Sequence, residues 1–283
     1  MLFFTILNNG WMNGKVYGLL CMLLTATIIK VSAQTRLNDR MTSGYYGNVK
    51  LATKITWKHA PDSLLNAQKN FDSLYHLAYE IIAGHYASLG KYFREEDRPG
   101  YVDAAIMQEG FDSLGNATYE GDTMAANAMN VTYKYGKYIG NKSKISIYNN
   151  HSGNGIGDGN VMWTGYKTRT QHLSMMNGFV IDATLEIEDN QPARQRSELK
   201  FKDAFTIKAQ TTLLTNDADR QVWLHTEVSR KKGQTNVLPP TIDTVTHHIL
   251  SKDAEGNILK ETITHTNSKE TDEMVFHRYE YYR

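Results

Sequence analysis

Beyond about residue 100 the chain alternates hydrophobic and polar positions with a period of two, in short runs separated by Gly, Asn, Asp and Ser. That period puts every second side chain on one face of an extended strand, so each run predicts a strand with one buried face. The runs 131–135, 144–148 and 221–229 alternate cleanly, and 179–188 sets Ile181, Ala183, Leu185 and Ile187 on one face. Further runs at 105–109, 198–202, 204–214, 244–250, 258–264 and the closing 273–282 extend the series. The fold class predicted is mainly β, an antiparallel meander of repeated hairpins.

One stretch breaks this rhythm. Between Pro61 and Gly90 the apolar residues Leu64, Ala67, Phe71, Leu74, Tyr75, Ala78, Ile81 and Ile82 recur at helical spacing, behind a proline and an early acid, Asp62. These signals predict one N-terminal helix around 62–83. Yet Phe71-Asp72-Ser73-Leu74, followed by Tyr79-Glu80, returns forty residues later as Phe111-Asp112-Ser113-Leu114 with Tyr119-Glu120. Helix and hairpin both remain open for the first copy.

The second copy continues into Gly115-Asn116, and Asp253-Ala254-Glu255-Gly256-Asn257 repeats its ending. An Asp, two permissive residues and then Gly-Asn tolerate the positive φ of a tight connection, so Asp112, Gly115, Asn116, Asp253, Gly256 and Asn257 are predicted turn residues. Gly140-Asn141 is a further, looser copy. With the tail Phe276-His277-Arg278-Tyr279-Glu280-Tyr281-Tyr282, these turns resemble the YD-repeat (Rhs-like) β-hairpin proteins of bacterial envelopes. The last copy has Lys252 where that motif carries an aromatic residue, and 160–240 shows no convincing repeat. The resemblance implies stacked hairpins, with carbohydrate or surface contact as the associated role.

The N-terminus reads as an address. Residues 16–29 form an uncharged run of about 21 Å as a helix, short of the ~30 Å hydrocarbon core. Lys15 precedes it and Val31-Ser32-Ala33 follows, the pattern of a secretory signal peptide cleaved near Ala33. Met12 begins a better-formed signal than Met1, so 1–11 reads as a mis-assigned start. The remainder, 34–283, forms a single β-rich domain, in which the break at 230–240 marks 241–283 as a candidate C-terminal hairpin unit. No later window is long and apolar enough to span a membrane as a helix.

Removing this segment changes the composition. The 283-residue chain has a formal charge of +1 and a single cysteine, Cys21, inside the apolar run. The exported chain loses Lys15 and Lys30 and no acid, so it carries −1 and no thiol. Thiol chemistry, disulfides and a nucleic-acid footprint are thereby excluded.

Candidate chemistry is thin. His248, His265 and His277 lie on runs that adjacent strands could bring together around a metal ion, and Asp158 in 149–160 is a candidate calcium ligand. That stretch, with glycines at 153, 155, 157 and 159, reads as a flexible polar loop and lacks the dinucleotide-binding spacing. The carboxylate pairs Glu95-Glu96 and Glu186 with Asp189 carry no spacing specific to catalysis, so no catalytic residue and no cofactor is assigned. Tyr133, Tyr135 and Tyr148 fall on neighbouring predicted strands, where exposed rings would form a platform for sugars or protein partners. The function expected is a secreted or periplasmic binding or structural element of the cell envelope, its partner a glycan or an envelope protein. The alternatives are a small periplasmic hydrolase or a lipid-binding β-sheet carrier, the latter marked by an apolar concave face.

Overall fold

The computed structural model describes residues 38–68, 70–88, 102–122, 130–165, 167–189, 191–202, 204–231, 239–266 and 272–283. The signal-peptide reading, the pair Glu95-Glu96 and most of 230–240 lie outside the described residues.

Strands follow one another as β1 (Val49–Lys58), β2 (Asp103–Phe111), β3 (Ala117–Asp122), β4 (Val131–Tyr135), β5 (Lys142–Asn149), β6 (Gly155–Thr164) and β7 (Thr168–Met175). The series continues through β8 (Phe179–Glu188), β9 (Gln191–Phe201), β10 (Phe205–Asn216), β11 (Arg220–Lys231), β12 (Thr241–Lys252), β13 (Ile258–His265) and β14 (Glu273–Tyr281). Every sequence neighbour is a sheet neighbour, and β14 pairs back on β1 to close a barrel. The antiparallel meander is therefore also a ring. The closing ladder runs from Val49↔Tyr281 to Lys58↔Glu273, and closure leaves no open sheet edge. Strand β12 pairs with β11 from Arg220↔His248 to Glu227↔Thr241, so the hairpins of 241–283 are staves of the same barrel.

Ladder partners share a face, which sorts inside from outside. Ala52 pairs with Glu109 and Tyr279, and Lys54 with His277; these side chains point into the lumen. Ile55 pairs with Ile106 and Phe276 and points outward. Three short or long helices accompany the strands: α1 (Asp39–Thr42), α2 (Asp62–Asn66) and α3 (Phe71–Ser88). Helix α3 covers that outward patch, laying Leu74, Ala78 and Ile82 over Ile55, Trp57, Ala104 and Ile106. Its i, i+4, i+8 stripe matches the helical spacing of the sequence. The expected single helix is broken at Asn70, whose side chain accepts a hydrogen bond from the Ser73 amide at 2.9 Å and so starts α3 afresh. Among the described residues no helix is long and apolar enough to cross a membrane.

The Phe-Asp-Ser-Leu echo therefore has two structures. At 71–74 it opens a helix; at 111–114 it enters a hairpin turn. What differs is the continuation, Tyr75-His76 against Gly115-Asn116. In the turn between β2 and β3, Asp112 accepts from the amides of Leu114 and Asn116, both at 2.9 Å, and Gly115 takes φ +82°. Between β12 and β13, Asp253 accepts from Glu255 at 3.0 Å and Asn257 at 2.8 Å, with Gly256 at φ +95°. The two turns are copies of one another in bonding as well as sequence.

The glycine-rich stretch expected to be a loop is largely strand. Only 150–154 turns, and from Gly155 the chain is β6, paired on both sides. Its glycines serve close approach: a Cβ on Gly159 would lie 1.9 Å from the His172 carbonyl oxygen on β7.

Gly256→Val places a β-branched residue at positive φ, with an expected loss of about 1–3 kcal/mol. Urea denaturation measures it; an unchanged midpoint would show that this turn does not require the left-handed conformation.

Candidate functional site

The segment between the N-terminal edge of the described chain and β1 enters one end of the barrel and plugs it. Asn38 caps α1 by accepting from the Met41 amide at 3.1 Å, and the next residue, Asp39, is buried inside the barrel. Its carboxylate meets Arg169 of β7 at 2.7 Å, and accepts from the Tyr135 hydroxyl of β4 at 2.5 Å and the Ala117 amide of β3 at 2.9 Å. One carboxylate thus ties the plug to three staves. Burial disfavours the charge on Arg169, but Asp39 and Tyr135 together outweigh that and raise the pKa of the guanidinium.

Both Asp-x-x-Gly-Asn turns grip this plug. The Gly115 carbonyl accepts from the Arg40 amide at 3.0 Å, and a Cβ on Gly115 would lie 2.4 Å from the Asn38 side chain. Asn257 accepts from the Tyr46 amide at 2.6 Å and returns a bond to the Tyr46 carbonyl at 3.1 Å. Between the two anchors Tyr45 sets its ring edge-on to Phe111 and Tyr279, with centroids 5.8 and 5.5 Å away.

Beside the plug lies a lumenal cavity of about 510 Å³, walled by β8 to β14, β1 and β2. That volume is within the range of small-molecule sites. Its polar centre is Glu261 of β13, only 4% exposed, between two histidines. His247 Nδ1 lies 2.9 Å from one carboxylate oxygen and His277 Nε2 lies 3.0 Å from the other. Burial alone would push the Glu261 carboxyl up, yet hydrogen bonds from the two histidines prevail and hold it at about 2. Each ring spends one nitrogen on Glu261 and keeps the second, directed away from that carboxylate. Glu109 faces the same cavity and is pushed the other way: burial raises its pKa, Glu120 reinforces this, and bonds from Ser43 and Tyr45 only partly offset it. Lys54, Trp223 and His225 complete the polar part of the wall.

Away from the plug the lining of β8 to β10 becomes apolar. Moving along β9 and β10 the inward pairs are Gln195–Thr211, Ser197–Ala209, Leu199–Ile207 and Phe201–Phe205. Phe179, Phe201 and Phe205 cluster with centroids 4.6 to 6.0 Å apart. These rings, with Leu199 and Ile207, are only partly buried, whereas Ile145, Ile147 and Leu173 on the adjoining strands are packed shut, with Ile181 against them.

The sequence-level candidates are dispersed. His248 is exposed on the outer face of β12, and Asp158 is exposed on β6. His265 and His277 both point inward but serve different acids: His265 Nδ1 lies 2.7 Å from Asp243, and His277 belongs to Glu261. Among the described residues no group of three His, Cys, Asp or Glu side chains could hold a metal ion. Tyr133 and Tyr135 turn into the lumen, where Tyr133 donates to Glu120 at 2.8 Å and Tyr135 to Asp39. Tyr148 points outward under Lys134, 4.6 Å from its ring centre. The three tyrosines therefore share no face. Their alternation was legible, but not which side of the sheet would be inside. Glu261, His247, Glu109 and Lys54 carried no local motif; only closure assembles them.

A second concavity, about 680 Å³, lies outside on β5 to β11. It is open and lined by charges that pair with one another, such as Lys200 with Glu198 at 3.0 Å and Lys208 with Glu198 at 3.3 Å. The lumen, with its buried ionisable groups, is the stronger candidate. Comparison with known protein families, with curated proteins and with solved structures finds no match to this chain.

Two outcomes follow. Asp39→Ala strands Arg169 without its carboxylate, with an expected cost of about 3–5 kcal/mol by chemical denaturation; adding Arg169→Met recovers part of the loss. Glu261 titrates at about 2 when folded against 4.5 unpaired, so its stabilisation is complete above about pH 4.5 and vanishes as pH falls through about 2. Glu261→Gln is expected to be less stable at neutral pH and to lose about 3 kcal/mol less on acidification than the native chain. Parallel acid-denaturation curves for the two proteins would disprove the assignment.

Proposed function

We propose that this chain is an exported small-molecule-binding barrel of the bacterial cell envelope, holding an amphipathic ligand in its lumen. The observation that carries this is the graded inner wall. Partly exposed Phe179, Leu199, Phe201, Phe205 and Ile207 lead toward a polar cavity at the plugged end. An apolar surface left uncovered inside a closed sheet offers its transfer free energy to whatever fills it. The signal-like segment ending at Ala33 supports an envelope or secreted address. The likeness to YD-repeat proteins rests on two hairpin turns and supports the envelope setting alone.

The outer face supports a water-facing barrel. Outward positions on β8 to β10 carry Asp182, Glu186, Arg194, Arg196, Glu198, Lys200 and Lys208. A membrane-spanning barrel presents an apolar belt there, and midplane cations cost it about 2–4 kcal/mol each. The paired histidines are tied to opposite oxygens of one carboxylate, which fixes both rings as parts of the lumenal wall.

Titration with N-phenyl-naphthylamine, which brightens in apolar surroundings, tests the reading. Saturable binding at one site per chain is expected, abolished by Phe201→Asp inside the lumen and retained by Thr226→Asp on the outer wall. No binding by the native chain, or equal loss from both variants, refutes a lumenal site.

A further inference from the structure

Three polar groups in the lumenal cavity have unused bonding capacity. Lys54 projects inward from β1 between its ladder partners Met107 and His277; no salt bridge ties it to a carboxylate among the described residues, and its charge acts on Glu109 nearby. Glu109 projects inward from β2, and its Oε2 is buried without a hydrogen-bond partner. His277 spends Nε2 on Glu261 and keeps Nδ1. A carboxyl oxygen left unpartnered inside a protein is costly unless something else satisfies it, and an ammonium beside it draws an anion to the same place.

We propose that Lys54 and Glu109, with His277 beside them, form a head-group site for the carboxylate of a chain-bearing organic acid, whose apolar part lies along the inner wall of β8 to β10. This rests on the lumen-binding reading and adds the identity of the head group. Glu261 does not compete for such a head, because its two oxygens are already taken by His247 and His277. In the proposed site Glu109 is protonated when the acid binds: burial and Glu120 raise its pKa against the pull of Ser43, Tyr45 and Lys54, and its Oε2 is buried without a partner. A protonated carboxyl donates a hydrogen bond where an ionised one can only accept. One ammonium and one donating carboxyl match the two oxygens and single charge of a carboxylate. A phosphate dianion would bring a second charge that this pair does not balance.

Displacement of a bound fluorescent probe at neutral pH by decanoate, decanol and decyl phosphate separates the possibilities. Decanoate is expected to bind about tenfold to a hundredfold more tightly than decanol, the range of a charge-assisted hydrogen bond. Lys54→Met is expected to bring that ratio to near one. Lys54→Arg, which keeps the charge, and Glu109→Gln, whose amide still donates, are expected to preserve a clear preference for the acid. Equal binding of decanoate and decanol by the native chain overturns the head-group site while leaving the lumen reading intact. Tighter binding of decyl phosphate than of decanoate overturns the carboxylate assignment. Displacement by none of the three overturns the lumen reading itself. Circular dichroism of each variant confirms that a lost preference is not a lost fold; an unchanged ratio in folded Lys54→Met overturns the role of Lys54.

Discussion

A ring of fourteen antiparallel strands encloses more room than its inward side chains can fill, and the rest of this molecule answers that constraint. Small barrels close on a packed interior; wide ones must be plugged, filled or left to a ligand. Here the three solutions are divided among regions. Strands β4 to β7 pack Val131, Ile145, Ile147 and Leu173 into a closed core. The segment around α1 fills one mouth with Asp39, Arg40 and Tyr45. The inner wall of β8 to β10 is left half-covered.

The plug is held by polar bonds rather than by apolar packing alone, and this has a reason. A short peptide inside a barrel brings amides and carbonyls that water can no longer reach, so each needs a partner. The two Asp-x-x-Gly-Asn turns provide them. In each, the aspartate closes the turn on itself, which leaves the Gly115 carbonyl and the Asn257 side chain to bond Arg40 and Tyr46. The repeated sequence unit is thus a latch as well as a hairpin connection. Of its two buried asparagines, Asn257 bonds the plug directly, whereas Asn116 braces its own turn by donating to Asp112 and accepting from Tyr138.

Much of the strand pattern was legible because it is local. The alternation in 179–188 matches β8 residue for residue, and the inward set Ile181, Ala183, Leu185 and Ile187 is the one its period marks. Which side faces in is not local. On β11 the in-phase apolar set Val222, Leu224, Thr226 and Val228 points outward, while Trp223 and His225 line the cavity. There the apolar phase marks the outer side, because the lumen at that wall is polar. The same non-locality hid Tyr133, Tyr135 and the Glu261 histidines, whose strands are arranged by closure alone. Strand β6 was missed for the opposite reason: its glycines carry turn propensity, but at Gly159 they answer the crowding of β7.

The pairing of β1 with β14 joins residues at opposite ends of the described chain, Val49 with Tyr281. Loop-closure entropy is greatest for such a contact, and it cannot form until the last strand has been made and delivered. During synthesis, β1 therefore waits as an unpaired edge beside a growing sheet, and the lumen has no fixed walls. Ligand capacity then arrives at a single late step rather than strand by strand. A chain cut short before β14 would retain most of its hairpins and none of its container.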